Sequence, residues 1–209
     1  RQRQMCIRDS RYTMDGTEPS SKSALYTAPV SVTENTEFKF RAFRPDGTYD
    51  KLYTASFVKE AIRPALKVTG NLKPGLNVAL YDFSGNKCAD IVSSKLIKNY
   101  VSECIAYPEG KTGNLAMVYN GYLTVPSDGV YTFSLLSDDG SILKLDNQVL
   151  IENDGLHSPA ERSAQVALAA GIHKLELSYF DYFGGVLKLF LINEKGEKTE
   201  CPSEWFTHE

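Results

Sequence analysis

The sequence has no long hydrophobic run, no excess of basic residues and little tryptophan. A membrane-spanning helix needs about 18 or more consecutive apolar residues, and no apolar stretch here approaches that length. The formal net charge of −3 gives no reason to expect nucleic acid or an anionic membrane as a partner. Apolar residues also lack a sustained 3.6-residue repeat, so we expect few helices.

Cysteine is scarce, and its spacing defines no metal or redox motif. Apart from Cys6, the chain contains Cys88, Cys104 and Cys201, and none of them forms a C-x-x-C pair. One disulfide with one free thiol and three unpaired thiols are both compatible with this count.

The first ten residues, RQRQMCIRDS, show no apolar periodicity and join abruptly to the rest of the chain. They resemble the translation of a transposase adapter used in sequencing libraries. We interpret residues 1–10 as an adapter artefact at the start of a metagenomic fragment. Because nothing selected such residues to pack, we expect them to make few tertiary contacts. A natural basic arm is the alternative.

The residues that are abundant favour β-structure. Twelve tyrosines and ten phenylalanines suit strands and leave aromatic rings available for sugars. On both sides of the SDDGS loop at 137–141, apolar and polar residues alternate. This pattern predicts strands over 130–136, 142–145 and 148–152, and with them an all-β fold.

Residues 11–60 form a first predicted module with turn signals between short strands. Its motifs are YTMDGTEP at 12–19, LY at 25–26, PV at 29–30 and FKFRA at 38–42. This ordered set resembles the C-terminal β-sandwich module of chitobiases and β-hexosaminidases. Strand sequence that this family has upstream of Tyr12 is absent, so we interpret the module as truncated and immunoglobulin-like, with an uncovered edge or core face.

Residues 61–74 break the alternation with prolines, a glycine and scattered polar residues, and we interpret them as a linker. Residues 75–209 form the second predicted module. It opens with a strand at 77–83 and continues through an irregular region at 84–113, where we expect mostly loop with short strands. Strand character resumes at 116–123. Alternation at 175–179 and a strand that is apolar on both faces at 186–192 complete it.

The second module carries several motifs in a fixed order. They are GYLTVP at 121–126, GVYTF at 129–133, SDDGS at 137–141, LD at 145–146, NDGLH at 153–157, AGIHKL at 170–175 and YF at 179–180. This set resembles, over residues 75–206, the domain named after the N-terminal fragment of anthrax protective antigen. The resemblance implies a protective-antigen-like β-sandwich. Such domains are appended to secreted glycosidases, adhesins and toxins and often contact carbohydrate.

The predicted strand directions place several polar loops at one end of this second sandwich. Strand 130–136 ends at the Asp pair, strand 142–145 runs back, and strand 148–152 returns to the same end. We therefore expect a shared rim formed by the loops of Asp138, Asp139, Asn153, Asp154, His157 and Tyr182.

Carbohydrate contact is the first function predicted for this rim. Aromatic faces stack on the apolar faces of sugars, and carboxylates accept hydrogen bonds from sugar hydroxyls. The candidate residues are Asp138, Asp139, Asp154, His157, Tyr182 and Phe183. Packing of the aromatic residues against a neighbouring domain is the alternative.

Calcium binding is the second function predicted for the rim, with Asp138, Asp139 and Asn153 as candidate ligands. Two adjacent aspartates converge on one ion only if the backbone between them bends sharply, as a cis peptide bond would allow. The resemblance implies such a use, because the adhesin branch of the family holds calcium with an adjacent Asp pair and bridges it to sugar hydroxyls. In the structural alternative, Asp138 accepts backbone N–H groups and stabilises the turn.

The sequence offers no enzyme active site. Glycoside hydrolysis uses two carboxylates about 5–9.5 Å apart, and nothing pairs Asp138 and Asp139 across a sugar. The histidines have no G-x-S-x-G motif near them. His173 shares a face with Leu175 and Leu177, which predicts a histidine in the core.

Together, the two resemblances imply a non-catalytic C-terminal accessory region of a secreted bacterial glycoside hydrolase. A β-N-acetylhexosaminidase is the expected parent, and an α-L-fucosidase is its alternative. The expected partners are carbohydrate and a missing upstream catalytic domain, and the expected location is secreted, periplasmic or at the cell surface. A purely structural interdomain or dimerisation module and a cell-surface adhesin-type sugar-binding domain are the other functions compatible with the sequence.

Overall fold

The structure is a computed structural model that describes residues 9–108, 110 and 113–209. Within these residues the chain forms sixteen strands and two short 3₁₀ helices, η1 (Cys88–Ser93) and η2 (Ser203–Trp205), and no helix that could cross a membrane. The first eight strands are β1 (Asp9–Thr13), β2 (Ala24–Leu25), β3 (Thr36–Phe43), β4 (Tyr53–Phe57), β5 (Lys73–Pro74), β6 (Leu76–Asp82), β7 (Lys95–Ser102) and β8 (Leu115–Val125). The others are β9 (Gly129–Ser137), β10 (Ser141–Leu145), β11 (Gln148–Asn153), β12 (Ala160–Leu168), β13 (Gly171–Asp181), β14 (Leu187–Ile192), β15 (Lys198–Glu200) and β16 (Phe206–His208). The predicted all-β fold is confirmed.

The chain divides into two compact units, residues 1–60 and 61–209. In the described part of the first unit, one antiparallel sheet forms in the order β2-β1-β3-β4. Phe38 is buried on this sheet, and its ring contacts Tyr12, Phe40 and Phe57. Only one layer of the predicted sandwich is present among these residues. A single sheet cannot bury its apolar face by itself, and Phe57 remains 51% exposed.

The first strand includes the last two of the residues interpreted as an adapter artefact. Asp9 and Ser10 belong to β1 and pair with Phe43 and Ala42 of β3. The expectation of few tertiary contacts for residues 1–10 is therefore wrong for these two residues, and residues 1–8 lie outside the described residues. Sheet pairing uses backbone N–H and C=O groups, so a segment of any origin can extend a strand. The adapter origin of the segment stays a prediction.

The segment 61–74 is not a free linker. The backbones of Arg63 and Leu66 form β-bridges with β12 and β13 of the second unit. The Arg63 guanidinium also donates a hydrogen bond of 3.1 Å to the carbonyl oxygen of Leu145, and β5 pairs with β16. Proline and glycine prevent a regular strand here, but they leave other backbone groups free to pair with a neighbouring sheet.

The second unit consists of two antiparallel sheets. One has the order β12-β9-β14-β15. The other runs β11-β10-β13-β8, and the long strand β8 then pairs along its first half with β6 and along its second half with β16. β7 lies outside β6, and β5 lies outside β16. Both sheets contribute strands to the rim described below.

The core lies between the inward faces of these two sheets, where alternate residues of each strand are buried. It includes Leu76, Leu123, Phe133, Leu135, Leu143, Leu175, Leu177 and Leu189. Polar residues alternate outward, and Lys144 and Glu176 pair across two strands at 2.6 Å. Each fully buried leucine or phenylalanine stabilises the fold by about 1.5–3 kcal/mol. His173 is fully buried in this unit, where its ring nitrogens contact Asp146 and the carbonyl of Ala169, so its predicted core position is confirmed.

Two strands lie where the sequence shows no clear pattern. β7 lies in the middle of the irregular region 84–113, and β12 lies within residues 158–170. Among the described residues β7 pairs only with β6, and its apolar residues Leu96, Ile97 and Val101 are about half exposed. Because neither face of an edge strand of this kind is fully buried, nothing imposes a two-residue alternation on its sequence.

Candidate ligand-binding rim

The register of the strands brings five chain segments to one end of the second unit. Ser137, the last residue of β9, lies opposite Leu187 at the start of β14. Ser141, the first residue of β10, lies opposite both Asn153 and Tyr179. The loops that follow β9, β11 and β13 therefore emerge side by side, as the predicted strand directions require.

The Asp pair bends at its second residue. The Asp138–Asp139 peptide bond is trans, and the bend arises because Asp139 adopts a left-handed backbone conformation with φ of 55°. Aspartate visits this conformation more readily than most residues. The cis peptide bond considered above is therefore not what brings the two carboxylates together here.

Asp139, rather than Asp138, stabilises the turn. Its carboxylate accepts hydrogen bonds from the backbone N–H of His157 at 3.0 Å and of Tyr182 at 3.2 Å. The side chain thus joins three loops of the rim. Asp139 is buried, with 9% of its surface exposed. The Asp138 carboxylate is half-buried and receives no hydrogen bond from the described residues.

A third carboxylate completes an acidic cluster. One oxygen from each of Asp138, Asp139 and Asp181 lies within 4.8 Å of the other two. Asp181 is the last residue of β13 and is 1% exposed. Its carboxylate accepts hydrogen bonds from the Gly184 N–H at 2.7 Å and from the Tyr107 hydroxyl at 3.3 Å.

Burial dominates the electrostatics of the cluster. Burial raises the pKa of Asp181, and the neighbouring Asp138 and Asp139 carboxylates raise this pKa further. The hydrogen bonds from Gly184 and Tyr107 lower it and so oppose the change. Burial, followed by the negative charge of Asp181, also raises the pKa of Tyr107 to about 12. The rim therefore concentrates negative charge that the described hydrogen bonds compensate only in part.

A buried hydroxyl lies near the acidic cluster. Tyr179 is fully buried, and among the described residues its hydroxyl has no hydrogen-bond partner. Burial raises the pKa of Tyr179, and the charges of Asp181, Asp138 and Asp139 add to the effect, so the hydroxyl lies in the field of the acidic cluster. A buried polar group without a partner costs about 1–3 kcal/mol, which a bound ion or water can relieve.

Three residues predicted for the rim are used by the fold instead. The Asn153 amide donates to Ser137 Oγ at 3.0 Å and to the carbonyl of Ala160, so Asn153 is not part of the acidic cluster. Asp154 accepts the N–H of Cys88 at 2.8 Å and holds η1 against the rim. Both ring nitrogens of His157 lie within 3.0 Å of backbone carbonyls, so this ring has little capacity left for a sugar.

The two aromatic candidates differ in exposure. Tyr182 is half-buried: its hydroxyl donates to the carbonyl of Gly85, and its ring contacts Phe83 and Phe180. Phe183 is 90% exposed and touches only Tyr182 among the ring contacts of the described residues. Phe183 is therefore the ring available for stacking, whereas Tyr182 positions the segment that carries it.

Two glycines allow the loops to approach one another this closely. A Cβ atom on Gly140 would lie 2.2 Å from the Phe180 ring, and one on Gly185 would lie 2.4 Å from the Asp138 Cβ. Neither position has room for a side chain.

Asp181 and Tyr107 are the rim residues that sequence reasoning missed. Asp181 lies in FDYF at 180–183, directly before the aromatic candidates Tyr182 and Phe183. A carboxylate directly after a strand that ends at the predicted rim was the available signal. Tyr107 follows β7 in the irregular region and carried no signal at all, because its approach to Asp181 spans 74 positions of sequence.

The acidic cluster fits a calcium ion. Calcium takes six to eight oxygen ligands at about 2.3–2.6 Å, so ligands on opposite sides of one ion are about 5 Å apart. Three carboxylate oxygens within 4.8 Å of one another satisfy this limit. The ligand set that fits is thus Asp138, Asp139 and Asp181, and it does not include Asn153.

Two packed antiparallel sheets with loops gathered at one rim place the second unit among the β-sandwich domains. A family model described as the PA14 domain matches residues 72–205, and the chain belongs to this family. A second family model, described as Fn3 associated, matches residues 8–57. The more specific resemblance of the first unit to the chitobiase C-terminal module stays a prediction.

One curated relative is a β-hexosaminidase from Porphyromonas gingivalis, which is 28% identical over 176 residues. The match covers 79% of this chain but 22% of the relative, so the chain spans about a fifth of that enzyme's length.

Among solved structures, a PA14 sugar-binding domain from an RTX adhesin is similar with a TM-score of 0.56 and 19% identity, over 65% of this chain and 99% of that domain. The epithelial adhesin 9 A domain from Candida glabrata, solved in complex with Galβ1-3GlcNAc, has a TM-score of 0.58 and 13% identity, over 71% of this chain and 96% of the other. At these identities the two structures show a shared fold.

Proposed function

We propose that this chain is a non-catalytic, carbohydrate-binding accessory region of a larger glycoside hydrolase, and that the sugar contacts the rim of the second unit. The observation that carries this proposal is the convergence of Asp138, Asp139 and Asp181, with the exposed ring of Phe183 two residues after Asp181 along the chain. A cluster of acceptors next to an exposed aromatic face suits a polyhydroxylated ligand.

Within this proposal each rim residue has a distinct role. Asp138, Asp139 and Asp181 would hold a calcium ion, which supplies a positive centre that sugar hydroxyls can approach. Phe183 would stack on the apolar face of a sugar ring. Asp139 also keeps its backbone hydrogen bonds to His157 and Tyr182, so the structural and the ion-binding roles of the Asp pair are compatible.

The parent proposed for this region is a β-N-acetylhexosaminidase. The supporting observation is the similarity to the Porphyromonas gingivalis enzyme, which extends beyond the second unit of this chain. Because polymeric sugars are met outside the cytoplasm, the proposed location is secreted, periplasmic or at the cell surface. The adhesin relatives share only the fold at less than 20% identity, so an adhesin-type parent has weaker support.

The proposal is tested by calorimetry of the full chain with CaCl₂ and then with Galβ1-3GlcNAc. We expect calcium to bind and the disaccharide to bind only when calcium is present. Asp138→Asn should abolish both events without unfolding the chain, because no described residue donates a hydrogen bond to the Asp138 carboxylate. Glu152→Gln is the matched control, because it removes an exposed negative charge outside the cluster.

The stacking role of Phe183 is tested by comparing two substitutions of exposed phenylalanines. Phe183→Ala should lower the affinity for the disaccharide by about three- to tenfold, because roughly 1 kcal/mol of ring contact is lost. The affinity for calcium should stay unchanged. Phe57→Ala, which truncates an exposed ring in the first unit, should leave both affinities unchanged. If wild-type protein binds neither calcium nor sugar, the region has the structural interdomain or dimerisation role instead.

A further inference from the structure

A groove lies at the end of the second unit opposite the rim that carries the acidic cluster. It has a volume of about 820 Å³ and runs between the start of β9 and the turn that joins β14 to β15. Tyr131 and Thr132 lie six to seven positions before Asp138 along β9, and a strand advances about 3.3 Å per residue. The groove and the rim are thus separated by roughly 20 Å, so one small ligand cannot occupy both.

The apolar part of the groove is formed by aromatic and branched side chains. Tyr131 and Trp205 line it, with ring centroids 6.0 Å apart and planes at 82°, and both are half-buried. The Tyr131 hydroxyl donates to the carbonyl of Ser127 at 2.7 Å, which holds the ring in place. Ile192 extends the apolar surface. Rings held in this way present a preformed surface for a ligand with an apolar face.

Uncharged polar groups surround this apolar surface. The exposed Gln165 amide donates to Thr132 Oγ1 at 3.1 Å, and its carbonyl oxygen accepts no hydrogen bond from the described residues. Asn193 organises the turn, because its side-chain oxygen accepts the N–H groups of Lys195 and Glu197 at 2.9 Å. The groove therefore combines a rigid turn with an amide that can reorient towards a ligand.

The charge of the groove limits the class of ligand. Glu194 and Glu197 line it, and no lysine or arginine does so among the described residues. Acidic ligands such as phosphates, nucleic acids and uronates would be repelled. A purely apolar ligand would cover the Gln165 side-chain oxygen and the Glu194 carboxylate without giving them hydrogen-bond partners. A neutral chain of sugars, with apolar ring faces and many hydroxyls, matches both surfaces.

We infer that this groove is a second carbohydrate-binding site, specific for a neutral oligosaccharide and independent of calcium. The inference rests on the proposed function of the chain as a carbohydrate-binding region, but it uses none of the residues of the rim. Two sites on one module would allow it to hold a polysaccharide at two points and so increase the overall affinity.

Trp205 makes the test direct, because it is the only tryptophan in the chain and it lines the groove. The full chain is titrated in EDTA with tetra-N-acetylchitotetraose and, separately, with cellotetraose, while tryptophan fluorescence is recorded. We expect at least one of these neutral probes to produce a saturable change. Gln165→Ala should weaken that binding by about three- to tenfold, the usual effect of losing one hydrogen bond.

Matched controls separate the groove from the rim. Gln148→Ala truncates an exposed glutamine of the same type outside the groove and should leave the affinity unchanged. Asp138→Asn should also leave the affinity of the groove for the probe unchanged. A failure of calcium-dependent binding at the rim would not change the binding expected at the groove. Absence of a saturable signal with both probes would overturn the inference, as would a signal that needs calcium, is lost in Asp138→Asn or is equal in wild type and Gln165→Ala.

Discussion

Asp181→Asn is the substitution that most directly examines the acidic cluster. Asparagine has the shape of aspartate, and its side-chain oxygen can still accept hydrogen bonds from the Gly184 N–H and the Tyr107 hydroxyl. The change therefore removes a buried negative charge while it preserves the contacts of the residue. We expect the variant to be more stable than the wild type when calcium is absent.

The magnitude follows from the spacing of the carboxylates. Two unit charges 4.8 Å apart repel by roughly 3 kcal/mol at an effective dielectric constant of about 20. Asp181 faces two such neighbours, Asp138 and Asp139. The two hydrogen bonds to its charged form offset about 1.5–3 kcal/mol each. The net gain from neutralising Asp181 should therefore be about 0–3 kcal/mol, or up to roughly 12 °C in Tm for a chain of this size.

The gain should depend on pH. Because the folded state raises the pKa of Asp181 above 3.8, the folded protein holds this proton more tightly than the unfolded chain. Wild-type stability therefore increases as the pH falls from neutral through the raised pKa. The advantage of Asp181→Asn should be complete at pH 7, diminish in that window and be absent below 3.8, where both states are protonated.

Thermal denaturation in EDTA and in excess CaCl₂ provides the assay. Calcium at about one hundred times its Kd should stabilise the wild type by about 2.7 kcal/mol and Asp181→Asn far less. Glu152→Gln again serves as the control for general loss of negative charge. A variant that is less stable than wild type in EDTA would show that charge repulsion does not dominate at Asp181. A variant that keeps the full calcium-dependent increase in Tm would show that Asp181 is not an ion ligand.

Three further substitutions probe the packing of the second unit and its thiols. Gly140→Ala should destabilise the chain by about 1–3 kcal/mol in urea denaturation, because the new Cβ would meet the Phe180 ring at 2.2 Å; unchanged stability would mean that the loop can move away from that ring. Cys104 is exposed, whereas burial raises the pKa of the Cys201 thiol to about 12. In a thiol-reagent assay Cys104→Ser should therefore remove one fast-reacting thiol, and Cys201→Ser should remove none.

The sequence alone determined the β-character of the chain and the order of its strands around the Asp pair. Strict alternation over 130–135 and 175–179 is sufficient, because residues two apart share a face and one face must be buried. Short turns between consecutive strands then require opposite directions, which is why the loops after β9 and β11 could be assigned to the same rim. Edge strand β7 could not be predicted in this way, because neither of its faces is fully buried.

Only the tertiary structure decided which side chains of the rim can meet a ligand. Asn153, Asp154 and His157 occur close to the Asp pair in the sequence pattern, yet their polar atoms serve backbone and side-chain partners within the fold. Asp181 and Tyr107 joined the cluster through contacts between distant segments. Sequence periodicity specifies the face and the end on which a residue lies, whereas hydrogen-bond partners and exposure depend on what other strands place beside it, and local patterns do not contain that information.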